Sequence, residues 1–215
     1  AALLAVRRKH RFISMEDIDE AILKVQMGPE KKSRKMSDKA RRLTAYHEAG
    51  HAIAMYHLET ADPVHHITIV PRGRSLGTTW SLPGEEKSHL TRNEMMDDIV
   101  GLLGGRAAEE IVFQDISTGA SNDIDRASET ARDMVARYGM SKRIGTVSYH
   151  SEDEVFIGGS YGKTKSYSEQ VAGQIDEEVK TVIDSAYSKS LELLNANRDK
   201  LDAVAEYLMK HESMT

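Results

Sequence analysis

The segment DKARRLTAYHEAGHAIAMYHL, residues 38–58, decides the fold because apolar and small residues recur in it at helical spacing. Its only glycine is Gly50 and it contains no proline, so we expect one continuous helix. His47 and His51 are four positions apart and therefore project from one face of that helix. Glu48 lies directly beside them. The segment thus predicts a helix that carries side chains suited to a metal ion.

The pattern HEAGH predicts a catalytic zinc site. Two imidazoles on one helical face are close enough to bind a single zinc ion. A metal ion lowers the pKa of a water molecule, and the carboxylate of Glu48 is placed to take the proton as a general base. The alternative is a solvent-facing helix on which two histidines have this spacing without a role.

A catalytic zinc ion needs a third protein ligand, and the sequence offers four candidates. His57 stands where one class of zinc peptidases has its third histidine, but Ala54 replaces the glycine of that pattern, so we interpret His57 as a surface or packing residue. Glu109 and Glu110 follow the pattern in which a second helix supplies a glutamate. Asp123 lies in STGASND, a loop of small residues before a helix. Spacing alone does not choose between Glu109 and Asp123.

The rest of the pattern predicts a mainly helical protein with a small β-sheet near the HEAGH helix. Thr91 with Glu94 forms a capping-box signal, and Asn197 is expected to break and cap two helices. The predicted strands span 65–71 and 77–82, and the further helices span 91–112, 123–139, 167–196 and 198–211. The segment IGGSYGKT, residues 157–164, ends in the Gly-Lys-Thr of a phosphate-binding loop. No good strand precedes it, so we interpret it as part of a surface loop.

The chain divides into three parts by composition. Residues 1–27 contain the end of one helix and a short second helix that Ser14 caps. Residues 28–37, GPEKKSRKMS, are polar and charged and predict a hinge. Residues 38–215 form the predicted zinc peptidase domain. The start, AALLAVRRKH, has neither an initiator methionine nor a signal-peptide pattern, so we expect a piece of a longer protein.

Composition excludes several classes of function. The net charge of -5 is spread in mixed-sign clusters, which does not favour nucleic-acid binding. The absence of cysteine excludes disulfides, thiolate catalysis and sulfur-ligated zinc, so a metal must be bound through histidine and carboxylate. No apolar run approaches the length of a membrane span.

Four motifs occur in an order and at separations that resemble the FtsH family of membrane-anchored AAA+ zinc proteases. The motifs are HEAGHA at 47–52, ITIVPRG at 67–73, GGRAAEE at 104–110 and STGASNDI at 117–124. This resemblance implies a helical zincin-type peptidase domain that binds one Zn²⁺ per chain. It also implies an ATP-dependent endopeptidase that degrades unfolded or tagged proteins, including membrane proteins, in protein quality control.

The resemblance also implies roles for individual residues. The third zinc ligand would be Asp123, and Glu109 would support the site. Residues 1–27 would be the end of an ATPase lid, so ATP would be used only by an ATPase domain that this chain lacks. The edge strand that pairs with substrate would include Gly77, Thr78, Thr79 and Trp80.

For the parent protein, the resemblance implies a homohexamer anchored in the bacterial inner or plasma membrane by N-terminal segments, with this domain in the cytoplasm. Two other functions stay open from the sequence. The chain could serve mainly as a hexamerisation platform without peptidase activity. It could instead be a stand-alone metallopeptidase of the thermolysin-like kind that uses Glu109 as its third ligand.

Overall fold

A computed structural model describes residues 1–31, 36–73, 75–82, 87–149 and 167–215. These residues form a mainly helical protein with a small antiparallel sheet, which confirms the predicted fold class. Part of the predicted hinge at 28–37 and all of the segment 157–164 lie outside the described residues. No helix among the described residues is long and apolar enough to cross a bilayer.

Seven α-helices and three β-strands follow one another along the described residues. They are α1 (Ala2–Arg7), α2 (Met15–Met27), α3 (Asp38–Tyr56), β1 (Val64–Thr68), β2 (Thr78–Ser81), α4 (Arg92–Phe113), α5 (Ser121–Arg132), α6 (Glu169–Ala196), α7 (Arg198–His211) and β3 (Ser213–Met214).

Side-chain caps begin several of these helices as the sequence predicts. Thr91 accepts a hydrogen bond from the backbone N–H of Glu94, and the Glu94 carboxylate accepts one from the backbone of Thr91. Ser14 and Asp17 form the same capping box at α2. These caps supply hydrogen-bond partners to the first N–H groups of a helix, which have none within the helix. The residues involved lie within a single turn, so the signal is visible in the sequence.

The sheet has the strand order β2-β1-β3 among the described residues. β1 pairs antiparallel with β2, with Ile67 opposite Thr79. Both strands are shorter than predicted. β3 was not predicted at all, because two residues carry no alternation pattern and exist as a strand only through pairing with Ile67 and Thr68 of β1.

The helix predicted at 123–139 is correct in place but more irregular than expected. A 3₁₀ turn at Thr118–Ala120 precedes α5, and a π-helical turn at Asp133–Arg137 follows it. Gly139 ends the run at a φ of +61°. Such a backbone favours glycine, which is why Gly139 gave a correct helix end.

Asn197 breaks the chain between α6 and α7 as predicted, but its side chain does not cap α7. Its Nδ2 instead donates to the carbonyl oxygen of Leu193, one turn back in α6, at 2.9 Å. The capping contact of Asn197 therefore belongs to the end of α6, where its backbone N–H also donates to Leu193. At the start of α7 its Oδ1 accepts from Lys200 Nζ at 2.8 Å rather than from a backbone N–H.

The centre of the fold is the crossing of α3 and α4. The backbones approach so closely that a Cβ added to Gly50 would lie 2.4 Å from the carbonyl oxygen of Gly104. A Cβ at Gly104 would lie 2.6 Å from the carbonyl oxygen of Gly50. Each glycine therefore leaves room for the opposite backbone. This contact fixes the distance between the two helices that line the site described below.

An ion-pair group joins α2 and the segment after it to the residues that follow β1. Arg72 follows β1 and is 3% exposed. Its guanidinium donates to both carboxylate oxygens of Glu20 in α2, at 3.2 and 2.8 Å, and to Glu30 at 2.7 Å. A bidentate contact of this kind fixes orientation as well as distance.

We expect Gly50→Ala to lower stability, whereas Gly173→Ala raises it. Both glycines lie in helices, where alanine is favoured by about 0.5–1 kcal/mol. The Cβ at Gly173 meets nothing within 4 Å, so that gain stands, while the Cβ at Gly50 meets the Gly104 backbone. Overpacking of this kind costs about 1–3 kcal/mol or more. Urea unfolding of both variants measures the opposite signs, and equal stabilisation would contradict the close helix contact.

Candidate metal centre

Three side chains converge at the surface of α3. His47 and His51 come from α3 and Asp123 from the first turn of α5, and one ligand atom of each lies within 4.8 Å of the others. The two Nε2 atoms are 3.1 Å apart. The Asp123 Oδ2 atom lies 3.4 Å from His47 Nε2 and 3.6 Å from His51 Nε2. The histidines are buried and Asp123 is half-buried.

The hydrogen bonds of the two Nδ1 atoms determine the protonation of the Nε2 atoms that face this group. His51 Nδ1 lies 2.9 Å from the carbonyl oxygen of Gly101, which only accepts, so Nδ1 carries the proton. His47 Nδ1 lies 2.8 Å from the Glu109 carboxylate and donates to it in the same way. In neutral histidines both Nε2 atoms then present lone pairs. With both histidines neutral, as metal binding requires, two lone pairs and a carboxylate oxygen face one another.

This donor set fits a divalent cation. Electron-rich atoms at such short separations repel one another unless a proton or a metal ion lies among them. Tetrahedral zinc sites with Zn–N and Zn–O bonds of about 2.0–2.2 Å place their ligand atoms about 3.3–3.5 Å apart. The observed separations of 3.1, 3.4 and 3.6 Å bracket that spacing. Two histidines and one carboxylate also form a known ligand set for catalytic zinc.

The local charges favour a cation as well. Burial would lower the pKa of His47, but hydrogen bonds with Asp123 and Glu109 and the charge of Glu48 outweigh it and raise the pKa to about 10. Burial acts to raise the pKa of Asp123, yet its contacts with His47 and His51 hold that pKa below its usual range. The surrounding carboxylates thus stabilise positive charge at this point.

One face of α4 is shaped to receive the histidines. Gly101, Gly105 and Glu109 recur at four-residue intervals and so lie along one side of the helix. Gly101 accepts from His51, and Glu109 accepts from His47. A Cβ at Gly105 would lie 2.6 Å from the Nε2 atoms of both histidines. Only glycine leaves space for the ligand atoms there.

Glu109 also holds the loop that leads to Asp123. It is fully buried, and its two oxygens accept hydrogen bonds from the backbone N–H of Ser117 at 2.7 Å and from the Ser117 hydroxyl at 3.0 Å. Burial acts to raise the pKa of Glu109, but the bonds with His47 and Ser117 lower it overall. Glu109 therefore orients one histidine and anchors the segment that carries the aspartate.

Glu48 lies beside this group of side chains, at the position next to His47 on α3. It is 6% exposed, and burial raises the pKa of its carboxyl above the ordinary value. The hydroxyl of Thr79 lies 2.8 Å from its Oε2 atom. A carboxylate with a raised pKa is suited to accept a proton near neutral pH.

A cavity of about 1230 Å³ opens in front of these groups. Its walls include β2, which the sequence analysis singled out through Gly77, Thr78, Thr79 and Trp80. Gly77 precedes the strand and the other three residues belong to it. Within the described residues, β2 pairs with β1 alone, so its other edge makes no strand pairing there.

His57 lies away from the cluster. Its Nδ1 bonds to the carbonyl oxygen of Ile53 at 2.9 Å, and its Nε2 lies 2.9 Å from Lys200 Nζ. Among the described residues, only His47, His51 and Asp123 form a group that could hold a metal ion. The interpretation of His57 as a surface or packing residue agrees with this placement.

The model of peptidase family M41 matches residues 34–215. The chain belongs to peptidase family M41. This confirms the resemblance that the four motifs indicated.

Curated relatives are identical to the chain at about half of the aligned positions. "ATP-dependent zinc metalloprotease FtsH 1" of Thermoanaerobacter sp. (strain X514) is 51% identical over 215 residues, which cover 100% of this chain and 35% of the relative. "ATP-dependent zinc metalloprotease FtsH" of Caldicellulosiruptor bescii is 49% identical over 216 residues, which cover 100% of this chain and 35% of the relative. The chain thus spans about a third of the length of the curated relatives it matches.

Sequence reasoning missed several contributors to the M41 site. Gly101, Gly105 and Ser117 were not singled out, nor was the contact of Thr79 with Glu48. The four-residue repeat of Gly101, Gly105 and Glu109 is a signal that could have found two of them. The contacts of Ser117 and Thr79 have no such signal, since their partners lie on other elements.

We expect Glu109→Gln to weaken zinc binding by about 10–100-fold, as is typical when an outer partner of a metal-binding histidine is lost. The substitution keeps the size of the side chain but removes the charge that orients His47. Titration against a competing chelator measures the affinity. Glu110→Gln is the matched control, because the neighbouring Glu110 is exposed and bonds to Tyr187 instead. Equal affinity of the Glu109→Gln protein and the parent would contradict the role of Glu109.

Proposed function

We propose that this chain is the peptidase part of an ATP-dependent zinc metalloendopeptidase that hydrolyses peptide bonds. The observation that carries the proposal is the convergence of His47, His51 and Asp123 with Glu48 beside them, in a cavity bordered by an open strand edge. The names of the M41 relatives support zinc as the metal and proteolysis as the activity.

The zinc ligands in this proposal are His47, His51 and Asp123. Glu109 is a poor candidate for the third ligand, because it contacts His47 Nδ1, on the side of the ring opposite Nε2. Asp123 contacts the Nε2 atoms of both histidines. Two nitrogens and one carboxylate leave a coordination position open, as a catalytic zinc site requires.

Bound zinc would act as a Lewis acid towards a water molecule and the scissile carbonyl group. Glu48 accepts the proton of the attacking water and later donates it to the nitrogen of the leaving amine. Water supplies the oxygen that bonds to the carbonyl carbon, and the C–N bond breaks as the amine leaves. No side chain forms a covalent bond to the substrate.

The substrate in this proposal binds as an extended strand along the free edge of β2. Backbone hydrogen bonds to an edge strand do not depend on the identity of side chains. This mode suits a protease that acts on unfolded or tagged proteins of varied sequence, including membrane proteins.

The whole protein is proposed to be a homohexamer held in a bacterial inner or plasma membrane by segments outside this chain, with this domain in the cytoplasm. Residues 1–27 are proposed to be the end of an ATPase lid, 28–37 a hinge and 38–215 the peptidase domain. ATP would be used only by the ATPase part, and nucleic acid is not an expected partner.

Two other functions have weaker support from the contacts of the site. A hexamerisation platform without activity does not need two buried histidines with a buried Glu48 beside them. A stand-alone peptidase with Glu109 as ligand conflicts with the position of Glu109 at His47 Nδ1. Mass in solution, together with peptidase assays with and without a chelator, separates these functions from the proposal.

We expect Glu48→Gln to retain zinc but to cleave unfolded casein about 10² to 10⁴ times more slowly than the parent, since the general base is lost. Glu59→Gln is the control, because Glu59 is an exposed glutamate close in sequence. Elemental analysis gives the zinc content and the release of peptides gives the rate. Casein cleavage at the parent rate by the Glu48→Gln protein would refute the proposed mechanism.

We expect Asp123→Ala to lose most of its zinc, because two histidines alone hold the metal weakly. Asp125→Ala, two positions on in the same helix and exposed, should keep the zinc content of the parent. Elemental analysis after identical preparation measures both. Full retention of zinc in the Asp123→Ala protein would move the third ligand to another residue.

A further inference from the structure

The contact between β2 and Glu48 includes polar contacts of one hydroxyl group, which packing alone does not require. The Thr79 hydroxyl lies 2.8 Å from Glu48 Oε2 and 2.9 Å from the backbone carbonyl oxygen of the same residue. One hydroxyl on the strand thus contacts both the side chain and the main chain of the proposed general base. Both partners are acceptors when Glu48 is ionised, so the hydroxyl is the donor and shares its single proton between them.

The other side of the carboxylate is enclosed by the residues that lead into β2. A Cβ at Gly77 would lie 2.7 Å from Glu48 Oε1 and 2.8 Å from Glu48 Cγ. The backbone at Gly77 therefore packs directly against the carboxylate. Thr79 provides the polar contact on Oε2, while Gly77 blocks movement towards Oε1.

A glutamate has several rotatable bonds, and a free one samples many positions of its carboxylate. Threonine is β-branched and stiff about χ1, so its hydroxyl has a defined direction. A hydrogen bond to an ionised carboxylate is stronger than one between neutral groups. The strand thus holds the carboxylate through a directed contact with a rigid donor.

We propose that Thr79 is a positioning residue whose hydroxyl holds the Glu48 carboxylate where it takes the proton of water, and so ties the base to the substrate-binding strand. This inference rests on the proposed peptidase function. Because Thr79 lies in the strand whose free edge would pair with substrate, binding of a peptide also steadies the contact with Glu48. The hydroxyl then contributes to turnover more than to substrate affinity.

The test compares Thr79→Val with Thr79→Ser in the zinc-loaded chain and a short unstructured fluorogenic peptide. Valine keeps the branched shape and removes the hydroxyl, whereas serine keeps the hydroxyl. We expect Thr79→Val to lower kcat about 10–100-fold with little change in KM, as for a misplacement of about 1 Å in a catalytic group. Thr79→Ser should recover most of kcat, and both variants should keep the zinc content of the parent.

A second measurement does not depend on activity. The metal-free parent, Thr79→Val, Glu48→Ala and the double variant form a cycle of thermal unfolding midpoints. Residues in contact give non-additive effects, so we expect Thr79→Val to lower the midpoint less in the Glu48→Ala background than in the parent. If Thr79→Val does not fold, Thr79→Ala takes its place as the variant without a hydroxyl.

The outcomes separate this inference from the proposed function. Parent-like activity of Glu48→Gln refutes the peptidase mechanism and the role of Thr79 with it. If Glu48→Gln is inactive but Thr79→Val turns over at the parent rate, only the positioning role fails. Equal losses in the valine and serine variants, or additive unfolding midpoints, also overturn the role of Thr79 and leave the peptidase function standing.

Discussion

The close crossing of α3 and α4 at Gly50 and Gly104 is the constraint on which the site depends. It brings one face of α4 against the histidine-bearing face of α3, so that the Gly101 carbonyl and the Glu109 carboxylate reach the Nδ1 atoms of the two histidines. Larger side chains at the crossing would separate the backbones and withdraw both acceptors. The metal centre is therefore built on a helix contact whose own residues carry no functional groups.

Glu109 shows how a buried charge can be accommodated. A carboxylate without partners in such a place would be costly, but this one accepts from His47 and twice from Ser117. Each partner gains a fixed position in return. The histidine keeps one ring nitrogen directed at the ligand group, and the loop after α4 holds its course towards Asp123. One buried charge thus connects α3, α4 and the start of α5.

The sheet brings a second set of constraints to the same point. β1 is the central strand among those described, and the Thr79 hydroxyl of β2 forms a hydrogen bond with Glu48. Arg72, just after β1, is held by Glu20 of α2 and by Glu30. Helix α2, the sheet and the HEAGH helix are thereby linked through contacts between particular side chains.

The sequence by itself determined what depends on neighbours within a turn or two. The spacing of His47 and His51 gave two donors on one helical face with Glu48 beside them, and the capping signals at Ser14 and Thr91 gave correct helix starts. Resemblance to a family added an expected third ligand, whereas spacing alone had left Glu109 and Asp123 open. Only the tertiary structure decided that Glu109 meets His47 from the Nδ1 side while Asp123 approaches Nε2. Likewise, only pairing with β1 makes β3 a strand. The physical reason is that helix periodicity and caps depend on bonds within one segment. Which carboxylate reaches which ring nitrogen depends instead on how two helices pack, and the contacting side chains His47 and Glu109 are 62 positions apart in the sequence.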